Sequence, residues 1–314
     1  MNRRNFLKSS LLVAAGATFG NLLPAQAASA DSTDRSKQLG RLVRKGSGFT
    51  MWQLNTQNDL IGNSYIFVTD RGRVIVMDGG FAEDELYLRG FLCALGGKVD
   101  TWFVSHPHVD HMGSLTNILS DPRGITVGHI YHSRFPEDLI VKNKPDITHC
   151  RNFYAALDNA TGTQVTDLQQ PGLTGSIDGF HFKILSTTCT DFHHDFYNNN
   201  SMIIRVWDNR KSLVFLGDMG KEAGEKMLLS PYKKDLDCDY LQMAHHGQWA
   251  CTEDFYRALQ FKACLWSTPH KFWDNIGPGG PGTGIYQVPL TRKWMERKGI
   301  TEHHVSWQGL WKLD

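Results

Sequence analysis

The chain has 314 residues, enough for one large domain with a proper core once an export leader is set aside. Its 33 basic and 32 acidic residues give a formal net charge of +1, and loss of Arg3, Arg4 and Lys8 with the leader takes this to −2. So balanced a charge excludes long-range steering of a polyanion: nucleic acid stays open as a partner only through a local basic patch, and net charge does not support it.

Asn2-Arg3-Arg4-Asn5-Phe6-Leu7-Lys8 carries a twin arginine, followed by an apolar stretch from Leu11 to Leu23 and the small-x-small run Ala25-Gln26-Ala27. That order reads as a twin-arginine signal peptide over residues 1–27. The apolar stretch is short for a bilayer, so no stable membrane span is expected. No Cys follows it, which argues against lipid attachment. The mature chain is expected to begin near Ala28 and to work in the periplasm or outside the cell, with the twin-arginine export machinery as a partner. Residues 28–46 read as a polar linker and 47–314 as one folded domain. The six cysteines lie outside the leader, scattered and without metal spacing, and most read as small buried hydrophobes.

Strands are expected at Phe49–Leu54, Ser64–Val68 and Arg73–Met77, the last two joined as a hairpin by Asp70-Arg71-Gly72. Leu88, Phe91, Leu92 and Leu95 fall at i, i+3, i+4, i+7, the stripe of an amphipathic helix. The apolar run Val99 to Val104 comes next, and a helix is expected at Met112–Leu119. Further strands read at Phe180–Leu185, Met202–Trp207, Ser212–Leu216, Tyr240–Ala244 and Lys262–Ser267, with two short ones at the end. Helices read at Lys221–Leu229, Thr252–Leu259 and Leu290–Lys298. Pro269 to Gly282 is a long irregular loop whose His270, Lys271 and Trp273 either line a substrate pocket or make a loose surface excursion. His303 and His304 read as strand residues outside any metal site.

The chemistry concentrates in His106-Pro107-His108-Val109-Asp110-His111, directly after an apolar strand. Side chains two apart in extended backbone share a face, so His106 and His108 can converge on one ion. Asp110 and His111 then turn toward a neighbouring position. Imidazole and carboxylate without thiolate favour Zn²⁺, with Mn²⁺ or Fe²⁺ as alternatives. Asp78, Asp218 and the His245-His246 pair also end predicted strands, so ligands from separate strands can meet in one cleft.

Asp78-Gly79-Gly80, His106 to His111, Leu216-Gly217-Asp218 and His245-His246-Gly247, in that order, resemble the metallo-β-lactamase superfamily. The resemblance runs from about Phe49 to Asp314. It implies an α/β fold, the αββα sandwich: two mixed β-sheets packed face to face, helices on both outer faces, and metals at one edge. Asn198-Asn199-Asn200-Ser201, the Gly-Asp ending and the histidine doublet are similar to the extracytoplasmic domain of competence-type DNA-uptake proteins and to phosphorylcholine esterases. Both relatives imply a phosphate ester or phosphodiester substrate. Asp218 stands where common di-zinc β-lactamases use Cys, which argues against antibiotic hydrolysis. Flavin-linked di-iron oxygen reductases carry Glu at the place of His108, which argues against redox chemistry. The third histidine of the first site is missing from its place, held here by Tyr197 and Asn198. Either that metal binds with fewer protein ligands, or His193 or His194 reaches in.

The resemblance implies two divalent ions: His106 and His108 on the first, Asp110, His111 and His245 on the second, Asp218 bridging both. Such a pair lowers the pKa of a shared water toward about 7 and supplies hydroxide. Asp78 then either orients a ligand from outside the metal shell or caps the hairpin-to-helix turn. His246 either faces the substrate as a proton donor or is structural. The expected activity is exported metal-dependent hydrolysis of a phosphate ester or phosphodiester. A lactone, lactam or thioester hydrolase, and a non-catalytic metal-binding module, are the competing readings. The open ligand set argues against the module, because structural zinc closes its coordination shell.

Overall fold

The computed structural model describes residues 48–142 and 144–314; the expected leader (1–27) and linker (28–46) lie outside the described residues. Two mixed seven-stranded sheets face each other. The first holds β1 (Phe49–Gln53), β2 (Ser64–Thr69), β3 (Val74–Asp78), β4 (Lys98–Phe103), β5 (Thr126–His132) and β6 (Gln164–Asp167). The second holds β7 (Thr174–Ile177), β8 (Phe180–Ile184), β9 (Ile204–Trp207), β10 (Ser212–Phe215), β11 (Tyr240–Gln242), β12 (Ala263–Trp266) and β13 (Glu302–Val305). The last strand, β14 (Trp311–Leu313), crosses back to pair with β1. The expected αββα sandwich is what the chain forms.

Each sheet is half antiparallel meander and half parallel. In the first, β1, β2 and β3 run antiparallel and β3 to β6 parallel. In the second, β7 to β10 run antiparallel and β10 to β13 parallel. The hairpin of β2 and β3 turns at Gly72, which takes φ 78° and pairs Ser64 with Asp78 at its far end.

The alternation along each strand explains the layers. Phe49, Met51, Tyr65, Phe67, Ile75 and Met77 point inward and meet Phe180, Phe182, Ile204, Leu213 and Phe215 of the other sheet. The intervening residues, Ile66, Val68, Val74 and Val76, face outward onto α1 (Glu85–Ala94), α2 (Val109–Ser120) and α3 (Ile147–Asp158). Val214, Leu216 and Leu241 do the same under α4 (Lys221–Leu229) and α5 (Val288–Lys298). Strands covered on both faces read as unbroken apolar runs, which is why β2 and β3 were easy to find. By contrast β6 and β7 are four-residue edge strands with half-exposed, polar residues, and nothing in their pattern announces them.

The long loop is ordered. Residues His270–Trp273 form a short helix, and Gly277 and Gly280 bridge each other. Trp273 is buried edge-on against Trp266 with the Arg292 guanidinium 4.0 Å over its ring, so it is a core residue and no pocket wall. His303 and His304 lie in β13, as expected; His303 Nδ1 accepts from Trp266 Nε1. All six cysteines are free, and Cys150, Cys251 and Cys264 are buried.

One buried ion pair pins the sheets together at the end away from the histidines. Lys211 Nζ donates to Asp208 Oδ2 and to Phe49 O, each at 2.7 Å, and sits 4.2 Å over the Phe49 ring. Replacing Lys211 with Ala leaves the Asp208 carboxylate buried without its cation. The expected loss is about 3 kcal/mol in urea unfolding; a loss below about 1 kcal/mol would show that the pair is dispensable.

Candidate metal centre

Asp78 ends β3, and His106 and Asp218 follow β4 and β10, at the carboxyl ends of the parallel halves, where an open sheet leaves a crevice. β4 ends at Phe103, and His108 has extended angles (φ −85°, ψ 149°) as the residue before α2. Asp110 and His111 therefore fall in the first helical turn, where the unpaired N–H groups favour a carboxylate.

The doublet is shaped differently from a strand end. His245 (φ 50°, ψ 45°), His246 (φ 56°, ψ 21°) and Gly247 (φ 82°) are left-handed in succession. Such angles cost a non-glycine residue about 1–3 kcal/mol, and the surroundings hold them. Thr268 Oγ1 donates to His246 O and Thr291 Oγ1 to Gly247 O. A Cβ on Gly247 would lie 2.5 Å from the Trp266 ring.

Two groups of side chains converge. One ligand atom from each of Asp110, His111, Asp218 and His246 lies within 4.8 Å of the others, and the same holds for His106, His108 and Asp218. Asp218 belongs to both. Its Oδ1 is 3.1 Å from His111 Nε2, and its Oδ2 is 3.4 Å from His246 Nε2 and 3.9 Å from His106 Nε2. His246 Nε2 is 2.8 Å from Asp110 Oδ2, and His106 Nε2 is 2.9 Å from His108 Nδ1.

The doublet thus departs from the sequence expectation. His246, expected either to face substrate or to be structural, is fully buried in the four-residue group. His245, expected in that group, is a quarter exposed, with Nδ1 on Trp249 O and Nε2 3.9 Å from Asp218. The left-handed turn rotates the first ring outward and brings the second in. His193 and His194 are exposed, their backbone N–H groups directed at Glu222, and neither joins the cluster. Tyr197 stacks on the His108 ring instead, with centroids 5.2 Å apart.

The outer nitrogens are held as well. His111 Nδ1 meets Asp78 Oδ2 at 2.8 Å, and His246 Nδ1 meets Ser267 O at 3.0 Å. His106 Nδ1 lies 3.1 Å from Ser105 Oγ and 3.3 Å from Ser201 Oγ. Asp78 itself accepts from Ser105 N, Ser105 Oγ and Asn63 Nδ2. Asn63, Ser105, Ser201 and Ser267 were not anticipated. The hairpin register would have found Asn63, since Ser64 pairs with Asp78; the serines carry no such mark.

Burial pushes the Asp218 and Asp110 carboxyls up, but His111 and His246 more than offset it and hold both below the usual carboxylate range. Burial pushes the two rings down, and the carboxylates reverse that: His111 stays well above its usual value and His246 reaches about 9. His106 is driven well below its usual value by burial and by the charges of His111 and His108. The donor set suits a divalent cation. His111 Nε2 and Asp218 Oδ1 are buried and make no hydrogen bond despite their closeness, an arrangement costly unless something else is bound there.

Residues 58–204 match the family model of the metallo-β-lactamase superfamily. That stretch is similar to the metallo-β-lactamase superfamily domain. Proteins with this domain are typically hydrolases and usually bind divalent metals. Residues 1–20 match the TAT (twin-arginine translocation) pathway signal sequence, so the chain is exported by that route to the periplasm or outside. Among the described residues no helix is long and apolar enough to cross a membrane. No curated protein matches the chain. Among solved structures, the metallo-β-lactamase fold protein YhfI from Bacillus subtilis is 14% identical, with a TM-score of 0.52 over 84% of this chain and 100% of that one. CmlA β-hydroxylase (E377D mutant) is 12% identical, with a TM-score of 0.50 over 91% of this chain and 60% of that one. Tm1679, a metal-dependent hydrolase of the β-lactamase superfamily, is 11% identical, with a TM-score of 0.46 over 84% and 98%. At such identities the likeness is one of fold, and the metallo-β-lactamase fold leaves the reaction to the site.

In the metal-stripped domain, the proton on His246 contributes stability that is complete below its ordinary pKa of 6.5 and lost as pH rises through about 9. Thermal melts of stripped protein should therefore show the midpoint falling across that window. A midpoint that is flat or climbs there contradicts the charge pairing.

Proposed function

We propose that this is an exported metal-dependent hydrolase acting on a phosphate ester or phosphodiester, with two divalent ions, Zn²⁺ by donor chemistry, held by His106, His108, Asp110, His111, Asp218 and His246. The observation that carries the reading is the placement of Asp218, buried, in both side-chain groups at once. A carboxylate has two oxygens and could serve two cations, and the donor set has no thiolate. When bound, such a pair supplies an activated water near neutral pH and a positive clamp on the attacking and leaving oxygens of an in-line displacement.

The chain's own residues do the rest. Asp78 holds the His111 ring through Nδ1 while Ser105 and Asn63 hold Asp78. Ser201 braces His106 and accepts the Asp218 N–H at 2.9 Å. His245, its Nδ1 committed to Trp249 O, presents Nε2 beside Asp218 on the open side. There it can hydrogen-bond a phosphoryl oxygen or the leaving oxygen. The phosphoester preference is supported by the likeness of Asn198–Ser201 and the doublet to competence-type and phosphorylcholine esterase domains.

The two histidines separate under mutation. His246→Ala should lose one of two bound metal equivalents and nearly all activity on bis-p-nitrophenyl phosphate. His245→Ala should keep both metals while turnover falls about 10²-fold. Metal loss in His245→Ala with full retention in His246→Ala would reverse the assignment. Hydrolysis of a lactone but of no phosphodiester by the metal-loaded protein would overturn the substrate class.

A further inference from the structure

We infer that Asp146, at the start of α3, is a positioning residue that fixes the His108 ring for the first metal position; the inference rests on the metal centre proposed above. His108 Nδ1 is turned toward His106 Nε2, at 2.9 Å, so its Nε2 points away from the cluster. On that outer side the Asp146 carboxylate lies 3.6 Å from Nε2. An outer carboxylate of this kind selects the ring tautomer with hydrogen on Nε2, leaving the Nδ1 lone pair for a cation.

Asp146 is the N-cap residue of α3, where an aspartate ordinarily accepts a backbone N–H of the first turn, yet its side chain makes no capping bond. The same excursion braces His108 a second time. Tyr197 stacks on the His108 ring with an interplanar angle of 29°, and its hydroxyl donates to Ile140 O at 2.9 Å. The other three inward rings take their outer partners from the sheet ends: Ser105 and Ser201, Asp78, and Ser267 O. His108 takes its carboxylate from the helical excursion between β5 and β6.

This matters most at the first position, which has His106, His108 and Asp218 as its side-chain group among the described residues, with Tyr197 where a further histidine would stand. With so few donors, the direction of each ring counts for more.

Zinc titration of the full exported chain against a chromophoric chelator tests this. Asp146→Ala should weaken one of two zinc equivalents about 10- to 100-fold and leave the other unchanged. Asp146→Ser, which keeps a residue that favours helix starts but cannot reach the ring, should show the same loss, whereas Asp146→Glu should recover part of it. Circular dichroism of the zinc-free variants should match the parent. If Asp146→Ala binds two equivalents as tightly as the parent, or if Asp146→Ser restores the lost affinity, the inference is overturned and Asp146 is only a helix residue. A parent protein that binds no zinc overturns the metal centre itself, a result read separately in the same titration.

Discussion

Two carboxylates withdrawn from water govern this structure. Asp110 and Asp218 are both buried, and their charges have to be met inside the protein. Without metal, His111 and His246 meet them by holding protons, at values burial alone would not allow. Divalent cations compete with those protons for the same nitrogens and oxygens, so metal binding is also proton release. The site is thus a charge balance between buried carboxylates and imidazoles, with Asp218 at its centre.

The scaffold serves that balance by bringing strand ends to one edge. Parallel halves of two sheets deliver Asp78 and His106 from one side and Asp218 and His246 from the other. Backbone strain is accepted where it aims a ring. Asp78, His245 and His246 all have positive φ, and each is held by hydrogen bonds from neighbours that would be lost in a relaxed turn. Gly217, at φ 55°, lets Ser201 approach closely enough to accept the Asp218 N–H; a Cβ there would sit 2.8 Å from Ser201 Oγ.

Much of this was legible in the residues. Buried strands such as β2 and β3 announce themselves as apolar runs, and the spacing of His106, His108, Asp110 and His111 carried the chemistry. Two things escaped. The short polar edge strands β6 and β7 bury too little to impose a pattern, and α3, between β5 and β6, has no expected counterpart in the sequence. The side-chain directions of the doublet are set by three left-handed residues in succession, held by the packing of Trp266 against Gly247 and the bonds from Thr268 and Thr291, and no sequence spacing marks them. Tyr197 stacks on His108, and His193 and His194 are exposed and outside both side-chain groups.

Anomalous diffraction at the zinc edge from crystals of the zinc-loaded protein tests the central claim most directly. The account predicts two peaks, one beside Asp110, His111 and His246 and one beside His106 and His108, with Asp218 contributing an oxygen to each. A single peak away from Asp218, or no peak among these side chains in protein that retains zinc, would contradict it.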